Sequence, residues 1–161
     1  MNDEAQKIIA RLGLAALPNE GGWFRQTWVS AERLASGRAA GSAIYFLVTP
    51  EDFSALHRMR TDEVWHFYAG DALEHVQLDP RDGAVRVARL GGGLAGEVAQ
   101  LVAPGGVWQG ARLAADATRG WALVGCTMAP AWDEREFELG RRDALGREFP
   151  SAREKIEALT R

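Results

Sequence analysis

The chain has 161 residues, a formal net charge of −3 and a pI near 5.7. That length suits one domain with a real core. Its weak acidity provides no field to attract nucleic acid, and no apolar run approaches the ~18 residues of a membrane span. A single cysteine, Cys126, leaves no internal disulfide and fits a reducing compartment, so a cytoplasmic protein is expected.

The first element reads as a helix. Ala5, Ile8, Ile9 and Leu12 recur at helical spacing, Asp3 and Glu4 sit at the positive dipole end, and Gly13 is placed to stop it. Charged residues interrupt its apolar positions, which excludes a signal peptide. Short runs rich in aromatic and β-branched residues follow at 23–28, 42–49, 53–58, 63–69, 73–78, 85–89, 97–102, 107–112 and 121–128. Turn chemistry at 49–52, 70–71, 79–83 and 104–106 separates them. Strands without intervening helices cannot form βαβ units, so an antiparallel sandwich or barrel is expected, with a jelly roll leading. Pro150 and Ser151 open a last helix with Ala152, Ile156 and Leu159 on one face, and Ser151 with Glu154 spells a capping box. No repeat or linker divides the chain, so 1–161 is one domain.

Gly91, Gly93 and Gly96 match the G-x-G-x-x-G dinucleotide pattern. That motif works where a helix begins within it, whereas 97–102 is strand-like and runs into Pro104. A glycine-rich hairpin loop is the better reading.

The informative stretch is 53–71, two strands joined by a charged turn. His57 lies near the end of the first and Glu63 at the start of the second. Brought close on a barrel wall, they could bind a metal, move a proton or hold a polar ligand. Alternation places Trp65 and Phe67 on the face of Glu63 and turns His66 outward; His75, out of phase with Val76 and Leu78, faces away from the core as well. Trp23, Phe46, Trp108 and Trp121 on other strands add to an aromatic set that, beside His57 and Glu63, suits a flat or ring-shaped ligand such as a sugar, nucleobase or aromatic acid. Gln109, next to Trp108, is a further candidate contact. Arg25 could pair an anionic ligand group or Glu20. The carboxylate-rich run 132–138 reads as a charged surface turn. Cys126 has no cationic neighbour in sequence and reads as an inert buried thiol.

His57-x-Met59-x3-Glu63-x6-Gly70 resembles the first cupin motif, H-x-H-x3-E-x6-G, and Pro104-Gly105-Gly106-Val107-Trp108 resembles the turn of the second. Together with Glu20-Gly21-Gly22-Trp23-Phe24-Arg25 and Val124-Gly125-Cys126-Thr127-Met128-Ala129-Pro130, these pieces are similar to the cupin-5 domain family of RmlC-like jelly rolls. The resemblance implies a mainly β cupin double-stranded β-helix with short N- and C-terminal helices, usually dimeric, with a ligand site inside. It also marks Asp133, an Asp kept after an aromatic, for pocket contact.

Metal-binding cupins take two His and a Glu from the first motif and a His from the second. Here Met59 stands in place of one His, and Trp108-Gln109 in place of another. Thioether and indole are poor ligands for divalent ions, so the reduced set of His57, Glu63 and Gln109 disfavours a metal, and no other cofactor is expected. His57 is then left as a base, with Glu63 as its orienting partner or the acid. Deoxysugar epimerases, similar to this chain only in barrel type, use a barrel histidine in that way. The expected function is a metal-independent isomerase or epimerase-like activity on a sugar-like or other small polar ring. The competing readings are a passive barrel holding its ligand between Trp65 and Trp108, and a metal-dependent oxygenase or decarboxylase. A homodimer through the sheet face of His66 and Tyr68 is expected, with no nucleic-acid or membrane partner.

Overall fold

The structure, a computed structural model, describes residues 1–93 and 96–161. Leu94 and Ala95, in the segment whose sequence reads as a glycine-rich hairpin loop, lie outside the described residues. Helix α1 (Asp3–Leu12) forms as its pattern predicts: the Asn2 side chain accepts the Ala5 N–H, and Gly13 closes the other end with φ of 62°. The strands are β1 (Ala15–Ala16), β2 (Trp23–Val29), β3 (Ser42–Val48), β4 (Ser54–Arg58), β5 (Glu63–Gly70) and β6 (Leu73–Asp79). They continue with β7 (Ala84–Leu90), β8 (Gln100–Ala103), β9 (Trp108–Leu113), β10 (Ala122–Met128) and β11 (Glu138–Leu139).

Two antiparallel sheets result, one ordered β1-β2-β3-β10-β5-β8 and the other β11-β4-β9-β6-β7. This is the expected jelly-roll barrel. Each predicted strand run carries a strand. In the run at 97–102 pairing with β5 begins only at Gln100, and Val98 makes an isolated bridge to Leu90.

The C-terminal region differs from the sequence reading. Two helices stand there, α2 (Arg142–Glu148) and α3 (Arg153–Ala158), with a 3-10 turn at Pro150–Ala152. Ser151 lies inside that turn and Ala152 takes the cap position of α3 without a side-chain cap bond, so the capping box does not form. Burial of Phe149 and Ala152 holds the turn in place. Helix α2 escaped detection because its apolar face is little more than Leu145.

Three apolar clusters decide which strand face points where. Phe46, Val48, Trp65, Leu73 and Val124 fill the space between the sheets. Ala5 of α1, with Leu14, Leu47 and Trp121, packs on the outer face of the six-stranded sheet. Leu145, Phe149, Ile156 and Leu159 cover Leu56, Val76, Leu78 and Trp108 on the outer face of the five-stranded sheet. Both faces of β6 are therefore buried. Val76 and Leu78 point at the helices, and His75 points inward, 1% exposed and edge-on to Trp65 with ring centroids 4.9 Å apart. The expected outward His75 is thus corrected.

Candidate functional site

The end of the barrel interior left open by the core is a cavity of about 430 Å³. Phe24 and Gln26 of β2, Ile44 and Phe46 of β3, His57 of β4, Glu63 and Trp65 of β5, and Cys126 of β10 form its walls. Met59, the loop from Leu17 to Glu20, and Trp132, Glu134 and Phe137 complete it.

The loop owes its shape to two glycines. Gly21 and Gly22 have φ of 95° and 75°, a region that side chains disfavour. A Cβ on Gly22 would also stand 2.5 Å from the Phe46 ring. Glu20, just before them, is delivered to the cavity wall, where its carboxylate accepts the Ser54 hydroxyl at 2.7 Å.

His57 is 3% exposed and lies parallel to Phe137, with centroids 5.4 Å apart. Its Nδ1 is 2.8 Å from the Ala55 carbonyl oxygen. A carbonyl only accepts, so Nδ1 carries the hydrogen and Nε2 holds the lone pair in the neutral ring. Among the described residues Nε2 has no hydrogen-bond partner. The carboxylate facing Nδ1 is Glu20, with Oε1 at 3.8 Å. The orienting groups for His57 are thus Ala55 and Glu20, where Glu63 was expected. The signal for Glu20 is a carboxylate placed before a glycine pair at a strand entrance.

Glu63 is buried and hydrogen-bonded across the barrel. The Gln109 amide donates to Glu63 Oε2 at 2.7 Å, while Gln109 Oε1 accepts from Trp65 Nε1 at 2.9 Å and from His75 Nε2 at 3.3 Å. Trp65 can only donate, which fixes the orientation of the Gln109 amide. Burial pushes the Glu63 carboxyl above its ordinary value, and Glu20 adds to this; the charge of His57 and the Gln109 bond oppose it. Burial likewise lowers the His75 imidazole to about 4, and its Nδ1 has no partner. The Cys126 thiol is pushed up by burial and then by the nearby Glu63 and Glu20, which agrees with an inert thiol.

The structure brings together His57, Glu63, Trp65, Phe46 and Gln109. It separates four other expected residues from the cavity wall. Trp108 lies on the opposite face of β9 from Gln109, under the C-terminal helices and with Arg58 stacked over its ring. Phe67 packs on the barrel core without reaching the cavity. Arg25 is on the outer face of β2 with its guanidinium over Tyr45, apart from Glu20. Asp133 caps the 3-10 turn at Glu134–Glu136 and pairs with Arg135, while its neighbours Trp132 and Glu134 line the cavity instead.

Among the described residues no three His, Cys, Asp or Glu side chains converge in a way that could hold a metal ion. The Gln109 oxygen already accepts two hydrogen bonds, and Met59 offers only a thioether. The side chains present do not fit the His-rich set of metal-binding cupins. No helix among the described residues is long and apolar enough to cross a membrane.

Comparison with known proteins agrees with this architecture. A family model described as Cupin_5, "Cupin superfamily (DUF985)", matches residues 6–140. A search of curated proteins returned no match. Among solved structures, a hypothetical protein from Leishmania major is 34% identical with a TM-score of 0.88, over 97% of this chain and 98% of that one. A protein from Shewanella oneidensis is 33% identical with a TM-score of 0.90, over 100% and 99%. A cupin-2 domain from Rhodospirillum rubrum, 16% identical with a TM-score of 0.61 over 92% and 89%, shares the fold alone. With the motif, the barrel and two full-length relatives in agreement, the chain belongs to the Cupin_5 family of the cupin superfamily.

Proposed function

We propose that the cavity binds a small ring-containing polar molecule and moves a proton on it without a metal, with His57 as base and Glu63 as acid. The observation that carries this reading is the hydrogen bond from His57 Nδ1 to the Ala55 carbonyl, which leaves the Nε2 lone pair free on the cavity wall. Glu63, on the same wall, is biased by burial toward its protonated form. Two groups with opposed proton demands in one cleft suit acid–base chemistry.

In the proposed step Nε2 takes a proton from a carbon beside a carbonyl, and the Glu63 hydroxyl gives its proton to the carbonyl oxygen. The product is an enol. Once the enol has turned its other face toward the protonated His57, return of that proton to the same carbon, with the hydroxyl proton taken back by Glu63, gives an epimer. Where the carbon that lost the proton bears a hydroxyl, the intermediate is an enediol. Protonation of the former carbonyl carbon by His57, with loss of that other hydroxyl's proton to Glu63, then gives an isomer. Glu20, 3.8 Å from Nδ1, stabilises the imidazolium formed on the way. The Phe46, Trp65 and Phe137 rings supply the flat wall for the ring of the substrate.

The test is proton exchange. Cyclic and open hydroxy-carbonyl compounds incubated with the protein in D2O should show carbon-bound deuterium by NMR for at least one class. His57→Asn should abolish it, since the Asn amide can still donate to Ala55 but offers nothing in place of Nε2. If no compound in the panel exchanges while ligands still bind, the barrel is a passive carrier. Homodimeric assembly is proposed as well, and light scattering that returns a single-subunit mass would remove it.

A further inference from the structure

Glu20 and Glu134 put carboxylates on the cavity wall beside the Glu63 carboxyl, and among the described residues no Lys or Arg lines it. Two arginines that touch the surroundings of the cavity bond to other groups. Arg161 donates to the Glu20 carbonyl and lies over Phe53; Arg38 pairs with Glu136 and donates to the Ala131 carbonyl, while its buried Nη2 has no partner among the described residues. His57, the one basic group on the wall among the described residues, presents a lone pair once Nδ1 is tied to Ala55. That buried ring, without a partner at Nε2 among the described residues, asks for a donor from the ligand.

The rest of the wall is aromatic. Phe24, Phe46, Trp65 and Phe137 surround the interior, and Trp132, 50% exposed, stands at the rim beside the exposed Glu134. Aromatic faces attract cations through their quadrupoles, and carboxylates do so by charge. An anionic ligand would meet the opposite. It would give up its hydration to a wall that holds the Glu20 and Glu134 carboxylates and, among the described residues, no lysine or arginine.

We infer that the ligand of this cavity is a small ring compound bearing a protonated nitrogen, and that carboxylate- and phosphate-bearing molecules are rejected. This rests on the reading of the barrel cavity as the ligand site, and it narrows that reading to one charge class. The ammonium or ring N–H⁺ group lies toward Glu20 and Glu134, the apolar ring lies against Phe46 and Trp65, and a donor on the ligand reaches His57 Nε2.

Three indoles of matched size test it by titration calorimetry at neutral pH: tryptamine, tryptophol and indole-3-acetate. Tryptamine should bind tightest and indole-3-acetate weakest, with about tenfold or more between them. Glu134→Gln, on the exposed rim where folding does not depend on it, should narrow that gap several-fold, and Glu20→Gln should narrow it too. Equal or tighter binding of indole-3-acetate, absence of tryptamine binding, or a gap unchanged in both variants would overturn the inference. Tryptamine has no carbon beside a carbonyl, so its binding is independent of proton transfer. Tryptamine preference without deuterium exchange removes the catalytic reading and keeps the charge selectivity; the reverse result removes only the selectivity.

Discussion

Gln109 reaches from one sheet to the other and places its amide nitrogen 2.7 Å from the Glu63 carboxyl. With its oxygen it also accepts from Trp65 and His75, so one side chain satisfies three buried groups at once. Gln109→Leu should strand those groups in the barrel and destabilise the protein by about 2–4 kcal/mol. Urea unfolding measures this directly. A midpoint equal to that of the unsubstituted protein would show that the network carries no stability.

Stability should fall between pH 6.5 and about 4 because of His75. In the unfolded chain the imidazole takes a proton near its ordinary 6.5, whereas the buried ring resists until about 4. Its contribution is therefore full above 6.5 and shrinks as the pH falls to about 4, by about 3 kcal/mol over that window. His75→Leu should flatten this slope in denaturant titrations run across the range. A slope that persists unchanged in the variant would assign it to other groups.

Glu63 works in the opposite sense. Its carboxyl is raised in the folded state, so the burden of ionising it is absent below its ordinary value of 4.5 and complete above the raised one. Glu63→Gln, which can still accept from Gln109, should raise the thermal midpoint at neutral pH and lose that advantage at acid pH. A variant that melts below the unsubstituted protein at neutral pH would contradict the raised value.

Trp108 and Trp132 should respond differently to truncation. Trp108→Ala opens a hole under the C-terminal helices, costs about 3–5 kcal/mol and leaves tryptamine affinity unchanged. Trp132→Ala removes a half-exposed rim group, changes the thermal midpoint little and weakens tryptamine several-fold. Melting curves and calorimetry on the same two samples separate the roles, and equal losses of affinity would erase the distinction.

The barrel was legible because turn residues and strand-forming runs follow one another with no helix between them. His57 and Glu63 were legible because their motif spacing places them at the facing ends of two consecutive strands. The identity of the inward face was less so. Alternation reports which residues share a face, and here the outer face of the second sheet is as apolar as the inner one. Val76, Leu78 and Trp108 therefore looked like interior residues, and His75 looked like a surface one. Nothing local in β6 or β9 reveals helices that arrive from 60 or more residues later in sequence in the case of β6. Glu20 escaped for a related reason, since its approach to His57 depends on a loop turning back over the end of the barrel.

The covering of both sheets from outside has a consequence for how this protein can change. Much of the apolar packing lies between each sheet and the helix or helices over it, away from the cavity. The interior is thereby released from supplying all of the cohesion of the fold, and it can hold two carboxyls, two imidazoles, an amide and a thiol without coming apart. Exchange of one cavity side chain for another can redirect what is bound while the frame stays standing. The outer layers carry part of the integrity of this barrel, and Phe46, Trp65 and Cys126 are the wall positions where packing and binding remain tied together.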